Sequence, residues 1–312
     1  MDDTANLTAK VKAKARELGF LECAVIPAGR LSGEEAHFDR WLEQGMHGEM
    51  HYMERNRDKR LDPTLLVENA RTVIVVLQNY CPAEQQKDAD APVLSKYAYG
   101  TDYHFVMKEK LNQLLTFIRS EAGECSGRPF VDSAPVLERA WARRAGLGWI
   151  GRNSNLISVE HGSFFFIGEL VIDRELEYDQ PREVRDHCGT CTRCVDACPT
   201  RAIVADRVVD ARLCISYQTI ELKGDLDESL RGQFANRVFG CDICQDVCPW
   251  NLKSEPHQEP AFAPAPGLLQ MTAAEWHGID EAAFGRLFRM SAVKRAGFQG
   301  LKRNLLFLGK EG

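Results

Sequence analysis

Eleven cysteines are many for one chain of 312 residues, and eight of them fall between positions 188 and 248. The first group reads Cys188-x2-Cys191-x2-Cys194-x3-Cys198-Pro199. The second reads Cys241-x2-Cys244-x3-Cys248-Pro249, and Cys214 stands between the two. The first spacing is the bacterial ferredoxin run, in which the fourth cysteine ligates the other 4Fe–4S cluster. Close spacing lets three thiolates wrap one face of a cubane, and the proline turns the chain toward its partner. One cluster then takes Cys188, Cys191 and Cys194, and receives Cys248. The other takes Cys241, Cys244 and Cys214, and receives Cys198. Cys214 replaces the first cysteine of an ordinary second motif, because Val238 occupies that place. Zinc also accepts Cys-x2-Cys pairs. Three cysteines at two-residue intervals plus Cys-Pro, nearly repeated, suit iron–sulfur clusters better. The chain is therefore expected to move electrons.

Composition bounds the rest. A chain that is 44% hydrophobic and 27% charged is expected to be soluble and globular, with one large domain and a smaller one. The longest apolar run, near Gly162–Ile172, is too short to span a bilayer. The N-terminal MDDTANLTAK has no basic or apolar signal region, so the expected compartment is the cytoplasm. Reduced thiols there favour metal over disulfides. The net charge of −6 argues against nucleic acid, but Gly285–Gly312 holds seven Lys or Arg against one acid, Glu311. That tail reads either as a solvated helical face or as a surface for phosphates. The chain has no Gly-x-Gly-x-x-Gly after a strand and no Walker A loop.

The elements that must position this chemistry begin with a helix over Leu7–Leu18, stopped by Gly19. Strands are expected at Cys23–Ile26, Arg71–Leu77 and Ser163–Ile172, and helices at Tyr103–Ser120 and Ala134–Ala145. The proline-rich and charged stretch Asp173–Asp186 is the best domain boundary, and helical patterning returns from Thr272.

The stretches Val131–Ala140 (VDSAPVLERA), Ala145–Asn153 (AGLGWIGRN), Tyr97–His104 (YAYGTDYH), Cys214–Tyr217 (CISY) and Asn236–Asp242 (NRVFGCD) resemble the epoxyqueuosine reductases. The resemblance runs from about Leu7 to Leu308. It implies a cobalamin-dependent enzyme with two 4Fe–4S clusters that reduces epoxyqueuosine to queuosine at the wobble base of tRNA anticodons. The patterning of the first part reads as α/β, and with the resemblance the expected fold is α+β or α/β in three parts. Residues 1–175 form a nitroreductase-like cobalamin-binding domain, and 176–255 a bacterial ferredoxin-like two-cluster module. Residues 256–312 form a short, basic, helical tail, which in longer members begins a HEAT-like region. It implies a monomer that takes electrons from a donor it does not identify.

Site residues follow from the same resemblance. Asp132 is the implied general acid. From position alone it reads as a helix N-cap. As an acid near neutral pH it needs a raised pKa, which burial beside a corrin would supply. Cobalamin contacts are implied at Arg60, Ser95, Asp132, Leu156, Ile157, Ser158, Ile167, Ser216 and Asp242. Asp102-x-His104 begins the motif by which some cobalamin proteins supply a lower histidine, but Met107 stands at its glycine position. His104 is therefore read as structural or substrate-facing. A cobalamin-dependent reductive dehalogenase and a plain iron–sulfur electron carrier are the rival readings. The anaerobically purified protein should be brown, with about eight irons per chain. A colourless preparation replete with zinc would overturn the cluster assignment.

Overall fold

The structure, a computed structural model, describes residues 3–181 and 184–309, so part of the expected 173–186 linker and the last tail residues, Lys310 and Glu311 included, lie outside it. In chain order the first half comprises α1 (Asp3–Glu17), β1 (Glu22–Pro27), α2 (Ser32–Glu43), α3 (Tyr52–Arg55), α4 (Arg57–Leu61), β2 (Thr72–Asn79) and β3 (Val93–Leu94). It continues through α5 (Tyr103–Ala122), β4 (Gly127–Phe130), α6 (Glu138–Arg144), β5 (Trp149–Ile150), β6 (Leu156–Ile157) and β7 (Phe165–Ile172). Gly19, left-handed at φ +85°, ends the first helical segment where an L side chain would be strained.

The main sheet has the order β1-β2-β7-β4, and each pairing is antiparallel. The α+β form of the expectation is therefore the right one, and the α/β form, which needs parallel strands, is not. Both faces of the sheet are covered. Ile74 and Val76 pack against Val11, Leu111 and Leu114 on the α1 and α5 side. Val73, Val75 and Leu77 pack toward Trp141 of α6 on the other. Burial on both faces explains why these strands read as continuous apolar runs.

The second half holds α7 (Arg193–Ala197), β8 (Ile203–Ala205), β9 (Val208–Val209), α8 (Ile215–Ile220), β10 (Arg237–Phe239) and α9 (Ile243–Asp246). The tail forms α10 (Ala273–His277), α11 (Glu281–Leu287) and α12 (Gly297–Leu308). Thr272 and Glu275 close a capping box at the start of α10. Packing crosses the boundaries that the sequence suggests. β10 pairs in parallel with β3 of the first half. A third core joins Leu94 and Tyr99 to Val238, Phe239, Trp276, Phe288 and Leu301. The buried amide of Asn304 donates to the carbonyls of Thr219 and Val238, both at 2.9 Å.

Several tail cations serve the fold. Arg295 pairs with Glu221 at 2.8 Å, and Arg303 donates to the carbonyls of Gln218, Leu222 and Gly224. Arg286, Arg289 and Lys294 are exposed. Among the described residues no helix is long and apolar enough to cross a membrane. Because Trp276 is buried in a core shared with β3 and β10, Trp276→Ala should cost about 3–5 kcal/mol. A thermal melt of the cluster-loaded protein should show the whole molecule shifting downward in one transition. An unshifted main transition would mean that the tail is independent.

Candidate active site and metal centres

The eight motif cysteines gather into two quartets. Cys194 lies in α7, with Cys188 and Cys191 before it and Cys198 as its C-cap. Cys244 lies in α9, with Cys241 before and Cys248 after it, and Cys214 is the N-cap of α8. Burial pushes the Cys194 thiol up, and Cys188 and Cys248 push it further. Cys248 is raised by burial and then by Cys188 and Cys191. In the other set, burial raises Cys244, which also faces Cys241 and Cys214. Cys241 is pushed up to about 12, mainly by burial, and Cys214 lies beside Cys198. Thiols crowded in this way stay neutral unless a cation compensates them, and cluster iron is such a cation. None of the eleven cysteines forms a disulfide. The donor set therefore fits two four-cysteine clusters. Nearby N–H groups point at sulfur: the Trp149 indole reaches Cys188 at 3.5 Å, and the Ala202 amide reaches Cys198 at 3.2 Å.

The second quartet abuts the first half of the chain. Asp242, between Cys241 and Cys244, is buried and accepts from the Ser95 hydroxyl and from the Lys96 N–H at 2.8 Å. Asn153 Nδ2 donates to the Cys244 carbonyl at 3.3 Å. From there an aromatic wall of Phe239, Tyr97, Tyr103 and Phe166 leads toward Asp132, the last two rings stacked at 4.1 Å.

Asp132 is not an N-cap. The expected 134–145 helix begins only at Glu138, whose N-cap is Leu137. Pro135 disfavours helical backbone at Ala134. Asp132 itself is left-handed, at φ +46°. Tyr103 Oη donates to its carboxylate at 2.5 Å, and His104 Nε2 lies 3.5 Å away. His104 Nδ1 is held by Asp102 at 2.7 Å, so both ring nitrogens are engaged. The Asp132 backbone N–H donates to the Glu138 carboxyl. The Asp132 side chain is 59% exposed, yet burial ranks first among the influences on it. Both hold at once for a side chain on the floor of an open recess.

Electrostatics in this recess correct the expectation of a raised Asp132. Burial pushes its carboxyl up, but the bonds from His104 and Tyr103 and the His104 charge hold it below the ordinary value. The proton sits elsewhere. Burial pushes His104 down, yet Asp102 and Asp132 raise it to about 9. Glu138 goes up to about 8, through burial and then the Asp132 charge. Glu169 of β7 is fully buried with neither carboxyl oxygen hydrogen-bonded, and burial drives it well above the usual range.

Arg60 is buried, stacks over Tyr52 and keeps an Nε without a hydrogen-bond partner. Its charge acts on the same recess, beside Tyr52, Asp132 and Glu138. Ser95 and Asp242 bond to each other. Leu156 and Ile157 form buried β6, and Ser158 follows them, also buried. Ile167 lies half-buried on β7 at the edge of the second core, and Ser216 half-buried in α8. The tail reaches this region as well, since the Arg295 charge bears on Tyr52 and Asp132.

A family model described as "4Fe-4S double cluster binding domain" matches residues 187–251, and one described as "Epoxyqueuosine reductase QueG, DUF1730" matches residues 60–133. An epoxyqueuosine reductase of Cellulophaga algicola is 55% identical over 298 residues, covering 96% of each chain. The chain belongs to the epoxyqueuosine reductase family. A solved epoxyqueuosine reductase with an epoxyqueuosine-modified tRNA-Tyr stem loop superposes with a TM-score of 0.89 at 28% identity, over 97% of this chain and 80% of that one. The structure of the Bacillus subtilis enzyme, at TM-score 0.86 and 27% identity over 97% and 81%, is described with its catalytic aspartate loop swung out of the active site. In this family's terms the chain is an oxidoreductase, and residues 187–251 are its two-cluster module.

Sequence reasoning missed Tyr103, Glu138 and Glu169 as members of the site. Tyr103 and Glu138 lie inside the quoted stretches, but only the fold turns them toward Asp132. Glu169 left one signal, an acid within an apolar strand. The raised His104 has a sign that can be measured. Its stabilising contribution is complete below pH 6.5 and is lost as pH rises through about 9. An NMR titration should give a His104 midpoint near 9, and Asp102→Asn should lower it by about one unit or more.

Proposed function

We propose that the chain reduces epoxyqueuosine to queuosine on the wobble base of a tRNA anticodon. The observation that carries this is the Asp132 recess, with two proton donors on its carboxylate and a path of packed aromatic residues to the second cysteine quartet. The overall change takes up two electrons and two protons, breaks both epoxide C–O bonds, and yields a C=C bond and water. Cobalamin, when bound, would supply a strongly reducing, nucleophilic cobalt for the epoxide carbon. Arg60, Ser95, Leu156, Ile157, Ser158, Ile167, Ser216 and Asp242 would hold it, within a nitroreductase-like first body. The orphaned Arg60 Nε supports this, because a buried guanidinium with a spare donor suits a ligand rich in amide oxygens.

Asp132 serves as the acid at the departing oxygen, working as one unit with His104. His104 holds the proton near neutral pH, Asp132 passes it on, and Asp102 keeps the imidazole oriented. Tyr103 fixes the Asp132 carboxylate and stacks on Phe166. The anticodon base must be splayed from its stack to enter the recess. Arg286, Arg289 and Lys294 are the exposed tail cations that would take its phosphates. The enzyme works as a cytoplasmic monomer with a separate electron donor.

Asp132→Ala should keep the brown cluster spectrum and the corrin bands while turnover of epoxyqueuosine tRNA falls by about two orders of magnitude or more. Wild-type activity in that variant would remove the acid from this role. Turnover of halogenated organics in place of the tRNA would favour the dehalogenase reading.

A further inference from the structure

The backbone at Asp132 is strained. A non-glycine residue at φ +46° persists only where its surroundings hold it there. The loop from Val131 to Leu137 is anchored by buried Val131 and Val136, but few backbone bonds within it fix the turn between them. Its own backbone bonds are Ser133 N–H to the Val131 carbonyl and Val136 N–H to the Ala134 carbonyl. The bond that leaves the loop from the backbone of Asp132 runs to the Glu138 carboxyl, at the first turn of α6. Glu138 is itself firmly placed, because α6 packs through Ala140, Trp141 and Ala142 into the core beneath the sheet.

We propose that Glu138 is the latch of the catalytic loop: by accepting the Asp132 N–H it holds the left-handed backbone that turns the Asp132 carboxylate toward Tyr103 and His104. Glu138 acts through Asp132 and is a positioning residue. The proposal rests on the reading of Asp132 as the acid. Around Glu138 stand Asp132, His104, Arg139 and Glu169. In that company one of two neighbouring carboxyls stays neutral, and a neutral Glu138 still accepts through its carbonyl oxygen. Glutamine copies that neutral acceptor, and alanine does not.

The test compares Glu138→Gln and Glu138→Ala as cluster- and cobalamin-loaded full chains. Hydrogen–deuterium exchange is read on the peptide covering residues 130–137, together with steady-state kinetics on epoxyqueuosine tRNA. In Glu138→Ala the loop should exchange about tenfold faster and kcat should fall about tenfold, with KM changed less than about twofold. In Glu138→Gln both should stay within about twofold of wild type. Unchanged exchange in Glu138→Ala overturns the latch. So does a Gln variant as impaired as Ala, which would mean that charge at the start of α6 is what matters. Iron content and the visible spectrum identify any variant that fails to fold, and Glu138→Gln then decides alone. Asp132→Ala keeps the N–H, so its loop should stay protected although turnover is lost. Full turnover in Asp132→Ala would remove the acid reading, while the exchange result would still decide the latch.

Discussion

One buried carboxylate ties the cluster-binding segment of the molecule to its first half. Asp242 lies between two cysteines of the second quartet and accepts from Ser95 and Lys96 of the first half. Burial pushes its carboxyl above the ordinary value, and these bonds with the Lys96 charge offset only part of that shift. A buried carboxyl without partners is costly, so the register of Ser95 against Asp242 is strongly specified. The parallel pairing of β3 with β10 runs through the same point. At Gly240, left-handed at φ +69°, an added Cβ would lie 2.5 Å from the Ser95 Cβ. The contact therefore requires glycine there, two residues before Asp242. If this contact moved, the second quartet would lose its fixed place beside the aromatic wall.

The recess at the other end of that wall is organised by charge. Asp132, Glu138 and Glu169 are three acids close enough to influence one another, and they are answered by His104 and Arg139. They cannot all ionise in one partly desolvated place. The fold separates them: Asp132 is held ionised by its donors, and Glu138 and Glu169 keep their protons. His104, which is raised to about 9 and so holds a proton near neutral pH, is thus set beside the ionised Asp132, and Glu138 meets Asp132 from the backbone side.

The tail shows how few tertiary contacts decide what a charged segment does. As sequence, Gly285–Gly312 is simply basic. In the fold Arg295 and Arg303 are drawn into bonds with α8 and the chain beyond it, and Arg286, Arg289 and Lys294 remain on the surface. Among the described tail cations, the latter group makes no such bond and is suited to phosphates.

The amino-acid sequence by itself determined the two clusters, because cysteine spacing is a local property and the ferredoxin run constrains which thiolates can share a cubane. It determined the long elements too. The α1 and α5 helices and the β2 and β7 strands match their expected positions within a few residues, since hydrophobic periodicity is also local. Their antiparallel pairing, the short β3–β10 joint and the merging of the tail into a shared core were decided by tertiary structure, because paired residues lie far apart in the chain, 100 positions for Thr72 and Ile172 and 145 for Leu94 and Phe239. The same holds for Asp132. Its neighbourhood in sequence suggested a cap and an acid raised by burial. Its neighbourhood in space is Tyr103, His104 and Glu138, and there the proton moves to the groups beside it, since a pKa answers to distances that no linear pattern records.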